Sequence, residues 1–163
     1  KPKRTIIFAL WTGEEKGLLG SRYYVQSLKD DVDKVVAYLN YDMISRDSED
    51  DSLGVECSMT YTKAFSKFEE MTKSNIKNND LKLDVNYRPS ENPRGGSDHT
   101  PFAEKDVPIF YFMAGFHTEY HTPVDEVDKV NYNKMAEIIK VGFLNIWEIA
   151  NMPENFRSLK QYN

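Results

Sequence analysis

The stretch Val35-Val36-Ala37-Tyr38-Leu39-Asn40-Tyr41-Asp42-Met43 is apolar on both parities until Asn40 and then a carboxylate interrupt it. Successive side chains of a strand point to opposite faces, so a strand apolar at nearly every position is covered on both sides, as in a parallel sheet. Residues 5–11 and 107–113 are short, β-branched or aromatic, and read the same way. Helical patterns lie between and after them, at about 18–29, 61–75 and 133–150; in the last, Met135, Ile138, Ile139, Phe143, Ile146 and Ile149 recur at helical spacing. Residues 81–87 alternate well enough for a fourth strand at an edge. The acidic stretch 47–58 and the Pro, Asn and Gly-rich stretch 88–96 read as exposed loops. Strands alternating with helices make this an α/β fold: a mostly parallel central sheet flanked by helices.

The chain has 163 residues, 40% of them hydrophobic, enough for one buried core, and the expectation is a single domain over 1–163. With 21 Lys plus Arg against 26 Asp plus Glu the net charge is −5, which argues against an electrostatic hold on nucleic acid or anionic lipid. No apolar run approaches the roughly 18 residues that span a bilayer. A lone Cys57 excludes an internal disulfide and a multi-cysteine metal site. The first residue is Lys1 rather than methionine, and an upstream part of the polypeptide, with any targeting segment, is expected to precede it.

In an open parallel sheet, ligands bind beyond the carboxyl ends of the strands. Gly13-Glu14-Glu15-Lys16-Gly17 follows the first proposed strand, and Asn40-Tyr41-Asp42 ends the second. Gly95-Gly96-Ser97-Asp98-His99 precedes the third, and Tyr120-His121-Thr122-Pro123 follows it. Carboxylates and imidazoles are thus expected along one sheet edge, a donor set suited to Zn²⁺ with an open position. Taken alone, Glu14 and Glu15 read as a solvated loop pair; at a strand end they take separate roles, one ligating while the other holds a water. Asp42 is a carboxylate at the end of an apolar strand, where an unpaired charge is costly; a cap or an ion pair is the plain alternative. His117 and His121 have the spacing of a helical ligand pair, but Pro123 and the polar surroundings argue against a helix, and only one of them belongs in the site.

Four segments carry a resemblance. They are Trp11-Thr12-Gly13-Glu14-Glu15-Lys16-Gly17-Leu18-Leu19-Gly20-Ser21, then Asn40-Tyr41-Asp42-Met43-Ile44, Gly96-Ser97-Asp98-His99-Thr100-Pro101-Phe102, and Tyr120-His121-Thr122-Pro123-Val124-Asp125. In this order they resemble the co-catalytic dinuclear zinc aminopeptidases, metallopeptidases of clan MH, family twenty-eight. That group includes bacterial leucyl aminopeptidases and relatives of glutamate carboxypeptidase and glutaminyl cyclase. The likeness runs from about residue 3 to about 152. It implies an enzyme that cleaves N-terminal residues from a peptide substrate. Glu14 would be the general base, Glu15 and His121 ligands of one zinc, Asp42 a ligand of the other, and His99 a donor to the tetrahedral oxyanion. His117 matches no ligand.

The family also supplies a His in a His-x-Asp segment and a bridging Asp upstream of where this chain begins. The resemblance therefore implies the C-terminal part of a catalytic domain, its N-terminal strands absent. Two zinc ions would sit in the full-length protein, whereas the isolated chain would bind zinc weakly and be inactive. Glutaminyl cyclisation and a non-catalytic interaction domain are the alternatives; retention of Glu14, Glu15, Asp42 and His121 speaks against the second. The compartment stays open, the resemblance admitting an exported protein, and so does the oligomeric state.

Overall fold

A computed structural model describes residues 1–161 of the chain. Strands β1 (Tyr38–Tyr41), β2 (Glu56–Thr62), β3 (Asp84–Ser90) and β4 (Ile109–Met113) form one sheet in the order β1-β4-β2-β3. β1 pairs with β4 and β2 with β3 in parallel, and β2 runs antiparallel to β4, so the open sheet is mostly parallel. Helices α1 (Leu19–Leu28), α2 (Lys67–Asn78), the short α3 (Thr100–Ala103) and α4 (Tyr132–Asn151) flank it.

Two-sided cover explains the apolar run in β4. Phe110 and Phe112 point into a core shared with Phe68 and Met71 of α2 and Ile138, Val141 and Ile149 of α4. Ile109 and Tyr111 point the opposite way, to Val25 of α1 and Phe102 and Ala103 of α3. β1 carries the same division, Tyr38 stacking on Phe102 with ring centroids 4.0 Å apart while Leu39 packs toward α4. The helical stripe expected over 133–150 is realised with its 138, 149 side inward; Ile139, Phe143 and Trp147 are at least two-fifths exposed.

The sheet differs from the sequence expectation in three places. Residues 5–11 join no ladder; Ile7, Phe8 and Leu10 are 66%, 89% and 102% exposed. A segment becomes a strand only when a neighbour takes its backbone groups, and here the segment is held at its ends. Arg4 donates to the carbonyls of Ile149, Met152 and Glu154 beyond and at the end of α4, and Trp11 packs on Tyr24 and Phe102. Second, β2 occupies residues expected as loop and as the start of a helix. Its first residues are polar, yet Cys57, Ser58, Met59 and Tyr61 are buried, and α2 begins only at Lys67. Third, the acidic loop before β2 is pinned. Asp51 accepts the N–H groups of Val55 and Glu56 and pairs at 2.8 Å with Lys134 Nζ of α4, both side chains fully buried. Among the described residues no helix is long and apolar enough to cross a membrane.

Candidate metal centre

The Glu14–Glu15 pair sits in a 3-10 turn, Glu14–Lys16, that only a particular backbone allows. Gly13 and Gly17 take φ of 66° and 98°, left-handed values that cost glycine nothing. The turn then closes on itself: Lys16 and Leu19 N–H donate to Gly13 O, Leu18 N–H to Glu14 O, and Gly20 N–H to Thr12 O. Gly20 is needed for a different reason, since a Cβ there would lie 2.8 Å from Thr12 N. The turn leaves Glu14 part-buried and Glu15 exposed, so the two adjacent carboxylates meet different surroundings.

Asp42 leaves the end of β1, its N–H bonded to Phe112 O, and the next residue, Met43, has a φ of 52°. His121 comes from the loop after β4 with a φ of 59°, stacks on Tyr120 at 3.8 Å, and places Nε2 2.9 Å from Glu15 Oε1. Glu15 and His121, 106 residues apart in sequence, are therefore in contact at the sheet edge. Glu14, Glu15, Asp42, Ser97 and Asp98 line a cleft of about 470 Å³ walled by Ala9, Leu10, Trp11 and the outer edge of β1.

Electrostatics show how closely these groups gather. Burial first, then the charges of Glu15, Asp42 and Asp98, raise the Glu14 carboxyl above its ordinary range, with His121 opposing. The Tyr120 phenol is pushed up by desolvation and then by Glu15, Asp42 and Glu14. Concentrated negative charge with oxygen and imidazole donors is the chemistry of a cation site. Even so, among the described residues no three of His, Cys, Asp and Glu come close enough together to hold an ion by themselves. The donor types fit zinc; the ring of ligands is not closed from within these residues.

His99 stands apart. It is 1% exposed, stacked on Tyr111 at 4.3 Å, and it does not line the cleft. Burial lowers its pKa to about 4 against an opposing pull from Asp42, so the ring is neutral, and Nδ1 has no hydrogen-bond partner. His117 also lies away from the cleft, between Glu119 and Asp125.

Asp98 is the residue that sequence reasoning passed over. It lines the cleft, accepts a 2.5 Å hydrogen bond from Ser21 Oγ of α1, and contributes to the Glu14 shift. Its neighbour Ser97 accepts from Asn40 Nδ2, whose Oδ1 accepts from Tyr38 Oη, itself bonded by Trp11 Nε1. This chain of bonds ties residue 11, β1 and the 97–98 loop together beneath the carboxylates. The signal was an Asp between a Gly-Gly turn and a helix start, which reads as a cap until its partner is known.

The model of the family described as Peptidase family M28 matches residues 1–144. Over 45 residues the chain is 56% identical to leucine aminopeptidase 2 of Trichophyton equinum, a match covering 27% of this chain and 9% of that protein. A probable zinc metalloprotease of Pyrenophora tritici-repentis is 26% identical over 191 aligned positions, covering 94% of this chain and 44% of that protein. Among solved structures, an aminopeptidase from Aneurinibacillus sp. strain AM-1 has a TM-score of 0.68 at 24% identity, over 89% of this chain and 33% of that one, a likeness of fold. The matched region thus makes up less than half the length of each of these relatives.

Proposed function

The chain belongs to peptidase family M28, and from that premise we propose that the protein containing it is a zinc-dependent aminopeptidase, hydrolysing the N-terminal residue from peptides. The observation that carries the proposal is the gathering of Glu14, Glu15, Asp42 and Asp98 around one cleft, with His121 Nε2 2.9 Å from Glu15 Oε1. Glu15 and His121 would hold one zinc and Asp42 would face a second. A zinc bound there supplies Lewis acidity, polarising the scissile carbonyl and making an attacking water more acidic.

Glu14 does the proton work. Its carboxylate, part-buried and crowded by three others, has a raised affinity for a proton, which suits a group that must take one from water and deliver it to the leaving amine. The 3-10 turn keeps Glu14 directed into the cleft while Glu15 reaches His121. Trp11, Tyr38 and Asn40 hold the floor through their hydrogen bonds, so the acidic groups converge on a fixed surface. A peptide substrate enters from the open side, along the outer edge of β1.

Two ligands for one ion and one for the other are each fewer than the three a catalytic zinc usually takes from protein. The isolated 163-residue chain is accordingly proposed to hydrolyse aminoacyl substrates negligibly, the remaining ligands coming from elsewhere in the whole protein. The test is made on that whole protein. Leucine-anilide cleavage should be abolished by a chelator and restored by zinc. Glu14→Gln should retain metal and fold while turnover falls about 10²–10⁴-fold. Wild-type turnover in the metal-loaded Gln variant would overturn the role of Glu14, and cyclisation of N-terminal Gln peptides without anilide cleavage would overturn the aminopeptidase reading.

A further inference from the structure

His121 stands on a loop without helix or strand between β4 and the 3-10 turn Val127–Lys129, its imidazole about half exposed. Such a segment does not hold a left-handed residue in place unaided. Its anchor is a set of ion pairs on the residues around it. Arg46, 9% exposed, donates from Nη2 to Glu119 Oε2 at 2.6 Å and from Nη1 to Asp125 Oδ1. His117 lies against the same two carboxylates, Nδ1 3.4 Å from Glu119 Oε2 and Nε2 3.6 Å from Asp125 Oδ2. Lys129 Nζ takes the other oxygen of Glu119 at 2.8 Å. The residue two before His121 and the residue four after it therefore converge on one buried guanidinium.

Arg46 in turn is four residues past Asp42. The connecting segment is fixed at both sides, Met43 O accepting from Ala114 N–H and Ser45 O from Asn131 N–H. A single side chain thus ties the segment that carries Asp42 to the loop that carries His121. Arginine suits this position because its planar fork addresses two carboxylates at once, which an ammonium does not.

We propose that Arg46 is a positioning residue for the metal centre, its guanidinium bracketing the 117–125 loop so that His121 stands against Glu15 at a set separation from Asp42. The proposal rests on the reading of Glu15 and His121 as zinc ligands. Its effect is expressed through geometry: orienting partners behind metal ligands typically change affinity about 10–100-fold when removed.

The test compares the wild-type chain with Arg46→Met and Arg46→Lys, each measured for amide hydrogen exchange without metal and for zinc affinity by calorimetry. In Arg46→Met, amides of 117–125 should exchange at least about tenfold faster while those of β4 and α4 keep their protection. Zinc affinity should fall about 10–100-fold. Arg46→Lys should lie between, restoring part of both. Wild-type exchange in 117–125, or a loosened loop with unchanged zinc affinity, would overturn the proposal. A wild-type chain that takes no zinc at all is a different result: it removes the metal centre, and this proposal with it, whatever the loop does. Should Arg46→Met unfold, Asp125→Asn, which keeps an acceptor but loses the charge, is measured in the same two ways; faster exchange in 117–125 with weaker zinc binding supports the proposal, and no change in either overturns it.

Discussion

Glu14 illustrates how much a single side chain owes to its neighbours. It is part-buried beside Glu15, Asp42 and Asp98, and these raise its pKa. A group whose pKa is higher in the folded state than in the unfolded one contributes its stability at acid pH and loses it as the pH climbs through the folded value. Glutamine has no charge to acquire, so Glu14→Gln should gain on the wild type as the pH rises. In metal-free protein the two should melt together below about pH 4, and the variant should melt higher at pH 7. A less stable variant at neutral pH would mean that the surrounding carboxylates do not act on Glu14. The pair was legible in the sequence because two carboxylates followed a glycine at the end of an apolar run. Beyond burial and the adjacent Glu15, two further carboxylates that raise its pKa, Asp42 and Asp98, lie 28 and 84 positions further along the chain, and only the fold brings them near. His99 shows the converse. Its place in the third motif segment suggested a donor, while its burial and its stacking on Tyr111 were not legible, since they depend on a helix of only four residues, α3, that no periodicity announces.

At the level of elements, α1 and the acidic turn are one unit joined by a close backbone approach. Gly20 N–H donates to Thr12 O, and a Cβ at residue 20 would lie 2.8 and 3.0 Å from the backbone N and O of Thr12. Alanine would improve helix propensity by about 1 kcal/mol, but backbone atoms cannot swing aside as a side chain can, and overpacking of this kind costs about 1–3 kcal/mol. Gly20→Ala should therefore destabilise the chain by about 1 kcal/mol net, read by urea unfolding. A stabilised variant would show that the turn moves freely against α1. The long helices α1 and α4 were readable to within a residue or two, because apolar spacing alone specifies them. β2 was not, since its opening residues are polar and its burial comes from lying between β4 and β3. Residues 5–11 failed in the other direction: their composition is that of a strand, but a strand is a relation between two segments, and among the described residues no segment takes their backbone groups.

Across the whole molecule, these features meet on one side. The edge strand β1 and the exposed Leu10 wall the same cleft that Glu14, Glu15, Asp42 and Asp98 line, and Ile7 and Phe8 just before it in the chain are exposed as well. An open strand edge beside exposed apolar side chains is the least satisfied surface a sheet can present. The α/β architecture, with helices covering both faces, was deducible from two-sided hydrophobicity. The state of this edge was not, since it depends on which segments pair. The central claim is that Glu15 and His121 are the nucleus of a zinc site that this chain leaves incomplete. The measurement that tests it most directly is a calorimetric titration of the metal-free chain with zinc, run beside His121→Ala and Glu15→Gln. One weak site per chain, weakened by about tenfold or more in both variants, is the predicted result. Zinc binding that survives both substitutions unchanged, or two tight sites per chain, would contradict it.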